Sequence, residues 1–68
     1  MRLCVFASEK PSAIEAGNQI RKRYGNHSVE ACDVIVAVGG DGFMLDVLRN
    51  YMTTGKPIYG FNRGTVGF

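Results

Sequence analysis

The sequence predicts an α/β fold in which parallel strands alternate with helices in the order β-α-β-α-β. Three observations carry that reading. Val34–Val38 is an unbroken, β-branched run without a charge inside it. Two segments, one before it and one after it, repeat apolar residues at helical spacing. Seven of the nine glycines lie from Gly39 onward, and six of those seven end or directly follow the second and third strands.

The first strand is expected over Arg2–Ala7, a nearly continuous apolar run that suits a strand covered on both faces. Ser8–Ser12 breaks it. Ser12 with Glu15 fits a capping box, in which the hydroxyl serves one orphan N–H and the carboxylate reaches back to another. Ala13, Ala16–Gly17, Ile20 and Tyr24 then form one narrow apolar stripe, and Gly25–Asn26 supplies the stop. Arg21–Arg23 fall in the last turn, where cations complement the helix dipole, and are read as a solvated face. After Val34–Val38 the glycine loop Gly39–Gly42 leads into a second helix carrying Met44, Val47–Leu48 and Tyr51–Met52. Thr53–Thr54–Gly55 ends that helix, and Pro57 prevents its continuation. Ile58–Tyr59 is a short third strand, and Phe61–Phe68 reads as a glycine-rich loop. Parallel strands in this order imply right-handed crossovers.

Composition narrows the function classes. At 46% hydrophobic residues, 21% charged residues and a net charge of +2, the chain is too apolar for a disordered tail and too evenly charged for a nucleic-acid binder. No apolar run reaches the roughly 20 residues of a membrane span, and Met1–Ala7 does not resemble a secretory signal. Cys4 and Cys32 are too few for a disulfide scaffold and sit in no zinc-like pattern, so both are expected as small buried residues in a cytoplasmic protein. With 68 residues, such a chain buries only about 60% of the surface it exposes when unfolded. It is therefore expected to be part of a larger domain, with residues 1–68 an incomplete α/β unit.

Ligands of open α/β sheets bind beyond the carboxyl ends of the strands, where both glycine loops arrive. Gly39, Gly40 and Gly42 let backbone take positive φ and approach a ligand, and their N–H groups at a helix N-terminus favour phosphate. Asp41 among them would repel phosphate, so its use is expected on a hydroxyl, a sugar or a metal-bound group. The alternative is that Asp41 serves only as a helix N-cap and the glycines only as a turn. The dinucleotide fingerprint fails, because Leu45 stands where its third glycine belongs and no acid follows Asp46. The P-loop fails as well, with Asn50 at its first glycine and Pro57 after Gly55-Lys56. In the second loop, Asn62 suits a base or ribose and Arg63 a phosphate, with Gly64 and Thr65 beside them. Phe68 is either an adenine platform or a core aromatic. His27, between polar residues, is read as exposed loop.

Val-Gly-Gly-Asp-Gly (38–42), continued by Phe43-Met44-Leu45, and Gly-Lys-Pro-Ile-Tyr-Gly (55–60), continued to Asn-Arg-Gly-Thr-Val-Gly-Phe (62–68), together resemble the bacterial NAD kinase family. The resemblance implies a Rossmann-like domain of the NAD kinase/diacylglycerol kinase type, followed by a β-rich domain and an Asn-Glu pair beyond residue 68. It implies phosphotransfer from ATP, or polyphosphate, to the adenosine-ribose 2′-hydroxyl of NAD, with a divalent metal, Mg²⁺, on the donor. It assigns Asp41 as proton acceptor, Asp41, Gly42 and Phe68 to NAD, and the glycine loop to donor phosphates. No metal ligand is assigned, and a cytoplasmic homo-oligomer is expected. Two departures stand out: Phe43 replaces a common Thr, and Asp46 occupies a position that is often basic. The competing readings are a Gly-Gly-Asp-Gly kinase acting on a lipid or sugar, and a non-catalytic nucleotide-binding module.

Overall fold

The computed structural model describes residues 1–62, and Arg63, Gly64, Thr65, Val66, Gly67 and Phe68 lie outside the described residues. Strands β1 (Leu3–Ala7), β2 (Val34–Val38) and β3 (Ile58–Phe61) form a parallel sheet in that order. Helix α1 (Pro11–Tyr24) joins β1 to β2; helix α2 (Asp41–Tyr51) and a 3₁₀ turn (Met52–Thr54) join β2 to β3.

The central strand is apolar throughout because both of its faces are covered, and all five of its residues are buried. Val34, Val36 and Val38 meet Val5 and the α1 residues Ala13, Ala16 and Ile20 on one face. Ile35 and Ala37 meet Cys4, Cys32 and the α2 residue Val47 on the other. Around that second cluster lie Phe6, Phe43, Met44 and Tyr51, with Phe6 and Tyr51 stacked at 4.9 Å.

Four local expectations need correction. Helix α1 begins at Pro11, whose fixed φ and missing N–H suit a first helical position. Ser12 is consequently already inside the helix, and no side chain caps it at Lys10, so the Ser12–Glu15 capping box does not form. Strand β3 runs on through Phe61, because Gly39 N–H donates to the Phe61 carbonyl at 2.9 Å. Arg21 is not purely solvated. Its Nη2 donates to the Val5 carbonyl at 3.0 Å and its Nη1 to Asn18 Oδ1 at 3.0 Å.

The fourth correction concerns handedness. With the strands in simple order and the helices on opposite faces, the two connections must have opposite hands, so they are not both right-handed. The reason lies in residues 25–33. Gly25 ends α1 at φ 79°, and the chain then passes along the outer edge of β1. Asn26 Oδ1 accepts from Val5 N–H at 3.1 Å, and His27 N–H donates to the Leu3 carbonyl at 2.9 Å. Val29 and Cys32 then join the cluster on the α2 face before β2 begins. Together with Arg21, this segment occupies backbone groups that an edge strand would otherwise offer to another chain. Lys56 secures the same turn by donating to the Val29 and Glu30 carbonyls.

Candidate functional site

The three strands end at one edge and carry their loops there together. Hydrogen bonding continues one residue beyond the strands, Ser8 N–H to the Val38 carbonyl at 2.9 Å and Gly39 N–H to the Phe61 carbonyl at 2.9 Å. Three loop starts, at Ser8, Gly39 and Asn62, are thereby aligned side by side.

Helix α2 starts abruptly from β2. Gly40 is its N-cap at φ −80° and ψ 179°, and its carbonyl accepts from Met44 N–H at 3.0 Å. Asp41 is the first helical residue, so the reading of Asp41 as N-cap does not hold. Its carboxylate is exposed, and Oδ1 accepts from Asn62 Nδ2 at 3.2 Å. An acid in the first turn is favoured by the positive end of the helix.

The glycines have different reasons for being there. Positive φ occurs at Gly25 and Gly55 among the described residues, and not at Gly39, Gly40 or Gly42. The positive-φ expectation for the loop is thus corrected: extended backbone runs straight into helix without a left-handed step. A Cβ at Gly39 would stand 2.9 Å from Phe43 Cδ2 and 3.0 Å from Ser8 Cβ, so close packing requires glycine there. Among the described residues Gly40 and Gly42 have no atom within 4 Å of that position, and none of these residues covers their backbone.

That open backbone borders a cleft of about 760 Å³ between the β1–α1 loop and the start of α2. Ala7, Ser8, Glu9 and Lys10 line one side; Gly40, Asp41, Gly42 and Phe43 line the other. The side formed by Ser8–Lys10 was not singled out in the sequence. The signal was available, because this segment follows β1 as the glycine loop follows β2. Among the described residues Ser8 Oγ is buried with no hydrogen-bond partner, and Glu9 is a second carboxylate at the edge. Lys10 supplies a cation.

Of the residues expected at the site, Gly39, Gly40, Asp41, Gly42 and Asn62 do converge. Arg63, Gly64, Thr65 and Phe68 lie outside the described residues. Phe43 packs inward against Gly39, and Asp46 is exposed on α2. Among the described residues there is no group of three or more His, Cys, Asp or Glu arranged to hold a metal, and no helix is long and apolar enough to cross a membrane.

The two cysteines lie away from this edge. Both are free and buried in the cluster facing α2. Burial raises the Cys4 thiol above its ordinary value, and the neighbouring Cys32 adds to that.

Comparison with known proteins agrees with the geometry. The family model described as ATP-NAD kinase N-terminal domain matches residues 3–68. A protein of Hyphomonas neptunium named NAD kinase is 52% identical over 68 residues, covering 100% of this chain and 27% of the relative. A Brucella suis protein of the same name is 52% identical, covering 100% of this chain and 26% of the relative. One from Caulobacter vibrioides is 49% identical over 67 residues, covering 98% and 26%. This chain therefore spans about a quarter of the length of these curated relatives. No solved structure matches. On its matched residues, its parallel sheet and its Gly-Gly-Asp-Gly loop, the chain belongs to the ATP-NAD kinase N-terminal domain family.

Proposed function

We propose that the protein built on this chain transfers the γ-phosphoryl group of ATP to the 2′-hydroxyl of the adenosine ribose of NAD, forming NADP and ADP. The observation that carries the reading is the exposed Asp41 carboxylate at the start of α2, held through one oxygen by Asn62 and flanked by the uncovered Gly40 and Gly42. Residues 1–68 form the part of the nucleotide-binding domain that supplies this carboxylate.

The reaction needs two things from these residues. A ribose hydroxyl is a poor nucleophile until its proton has an acceptor, and an ionised carboxylate at hydrogen-bond reach orients it and takes the proton as the new P–O bond forms. The donor phosphates need charge compensation and fixed placement, which is most of phosphoryl-transfer catalysis. Gly40 and Gly42 offer backbone without side chains, α2 offers its positive end, and Lys10 stands across the cleft. Mg²⁺ bound with the triphosphate neutralises charge on the donor oxygens. Such an ion takes one or two protein carboxylates besides phosphate oxygens, and Glu9, the other carboxylate lining the cleft, would be the one to hold it when Asp41 faces the acceptor. The same reading includes Arg63, Gly64, Thr65 and Phe68 as second-loop contacts, with Phe68 against adenine. It also includes a cytoplasmic homo-oligomer.

The test uses a full-length chimera in which residues 1–68 replace the matching stretch of the Hyphomonas neptunium relative. Incubated with NAD, ATP and Mg²⁺, the chimera is expected to form NADP phosphorylated at the 2′ position. Phosphorylation of a lipid or sugar alcohol in place of NAD would overturn the reading.

A further inference from the structure

We infer that Asn62 is a positioning residue for Asp41: its side-chain amide holds one carboxylate oxygen in place so that the other is presented to the hydroxyl being phosphorylated. The sequence alone suggested a different task for Asn62, a direct contact to base or ribose. The inference rests on the reading of Asp41 as proton acceptor.

Both ends of this hydrogen bond are set by backbone. The β2–β3 register pairs Val38 with Phe61, which puts Asn62 beside Gly39 at the head of the sheet. The bond from Gly39 N–H to the Phe61 carbonyl fixes that level. Asp41, two residues along from Gly39, starts a helix anchored by the Gly40 carbonyl and by Phe43 packed against Gly39. The 3.2 Å contact from Asn62 Nδ2 to Asp41 Oδ1 therefore joins two fixed points 21 residues apart.

Asp41 needs such a partner. A carboxylate in a first helical turn has the unsatisfied N–H groups of that turn within reach and is drawn back onto them as a cap. An exposed carboxylate also rotates freely between its rotamers. Among the described residues the only hydrogen bond of the Asp41 side chain is to Asn62. The amide thus competes with the helix for the carboxylate and limits its rotation. Asn suits the task because it offers a donor and carries no charge, so the carboxylate remains a proton acceptor.

The test measures kcat and KM separately in the full-length chimera. Asn62→Ala is expected to lower kcat by about 10-fold to 100-fold, as misplacement of a reacting group does, with KM for NAD and ATP within about 2-fold of the parent. Asn62→Asp, the same size but without the donor and with a repelling charge, is expected to lose at least as much. Thermal unfolding near that of the parent establishes that both variants fold. The decisive comparison is the double variant Asp41→Asn/Asn62→Ala, whose kcat should equal that of Asp41→Asn alone, because Asn62 acts only through Asp41. A KM increase for NAD without a kcat loss, or two losses that multiply in the double variant, would overturn the inference by putting Asn62 on the nucleotide. Full turnover by Asp41→Asn would instead remove the proton-acceptor reading itself. Full turnover by Asn62→Ala with Asp41→Asn inactive would remove only the positioning role.

Discussion

The Asn62 amide donates to the Asp41 carboxylate at 3.2 Å, joining the end of β3 to the start of α2. Two sequence motifs that look independent along the chain thus meet in space. The strand register brings them together beside the cleft that Gly40 and Gly42 line. Each variant is made in the full-length chimera carrying residues 1–68.

Two adjacent glycines should separate packing from ligand approach. Gly39→Ala forces a methyl against Phe43 and Ser8 and should lower stability by about 1–3 kcal/mol. Gly40→Ala meets no atom of the described residues, at an ordinary backbone angle, and should leave stability within about 0.5 kcal/mol. Gly40→Ala should nevertheless raise KM for ATP or lower kcat about 10-fold, because on the proposed function the added methyl would stand where the donor phosphate approaches the backbone. Denaturant unfolding beside steady-state kinetics checks both; unchanged kinetics for Gly40→Ala would mean that the donor does not pass there.

Arg21 should act through the edge of β1. Arg21→Met keeps an apolar stem but removes the donors to the Val5 carbonyl and to Asn18. A loss of about 1 kcal/mol is expected, together with greater self-association at high concentration, since a carbonyl at a sheet edge becomes available. Denaturant midpoints and light scattering measure the two effects.

Asp33 makes part of the stability acid-sensitive. Its carboxyl accepts from Arg2 N–H at 2.9 Å and lies 3.8 Å from the Arg2 guanidinium, and the backbone hydrogen bond is the larger cause holding its pKa below the usual value. A depressed folded pKa stabilises above the unfolded value, about 3.9, and the contribution is lost as pH falls through the folded value. Asp33→Asn should therefore unfold at a lower midpoint than the parent at pH 7, with the gap narrowing as pH falls below the unfolded value and through the lowered folded one. A gap that persists in acid would contradict the assignment.

Cys4 and Cys32 should be silent in the native protein. Both are buried, and the raised Cys4 thiol remains protonated where an ordinary cysteine begins to ionise. Peptide mapping after maleimide treatment should find both unlabelled until denaturant is added. Rapid native labelling would show that the cluster opens.

Much of this was legible in the sequence because its signals are local. Val34–Val38 has no charge and is flanked by turn residues, so its being a buried strand follows from composition alone. Gly25 and Pro57 mark boundaries through their own backbone chemistry. What escaped was set by contacts between distant residues. Pro11 displaced the Ser12 cap because it starts the helix earlier, and Phe61 joined β3 because Gly39 bonds to it. The opposite hands of the crossovers depend on Asn26 and His27 lying against β1, about which their sequence neighbours say nothing. At the site, Asp41 was legible from the residues around it. Its partnership with Asn62, and the cleft shared with Ser8–Lys10, needed the strand register.

The most direct test of the central claim compares NADP formation by the chimera and by its Asp41→Asn variant at saturating NAD, ATP and Mg²⁺. Asn keeps the size and the polar contacts of Asp41 but takes up no proton from the ribose hydroxyl. Turnover should fall at least about 100-fold while NAD affinity, measured separately by calorimetry, stays within about 3-fold. Turnover close to the parent's would contradict the account.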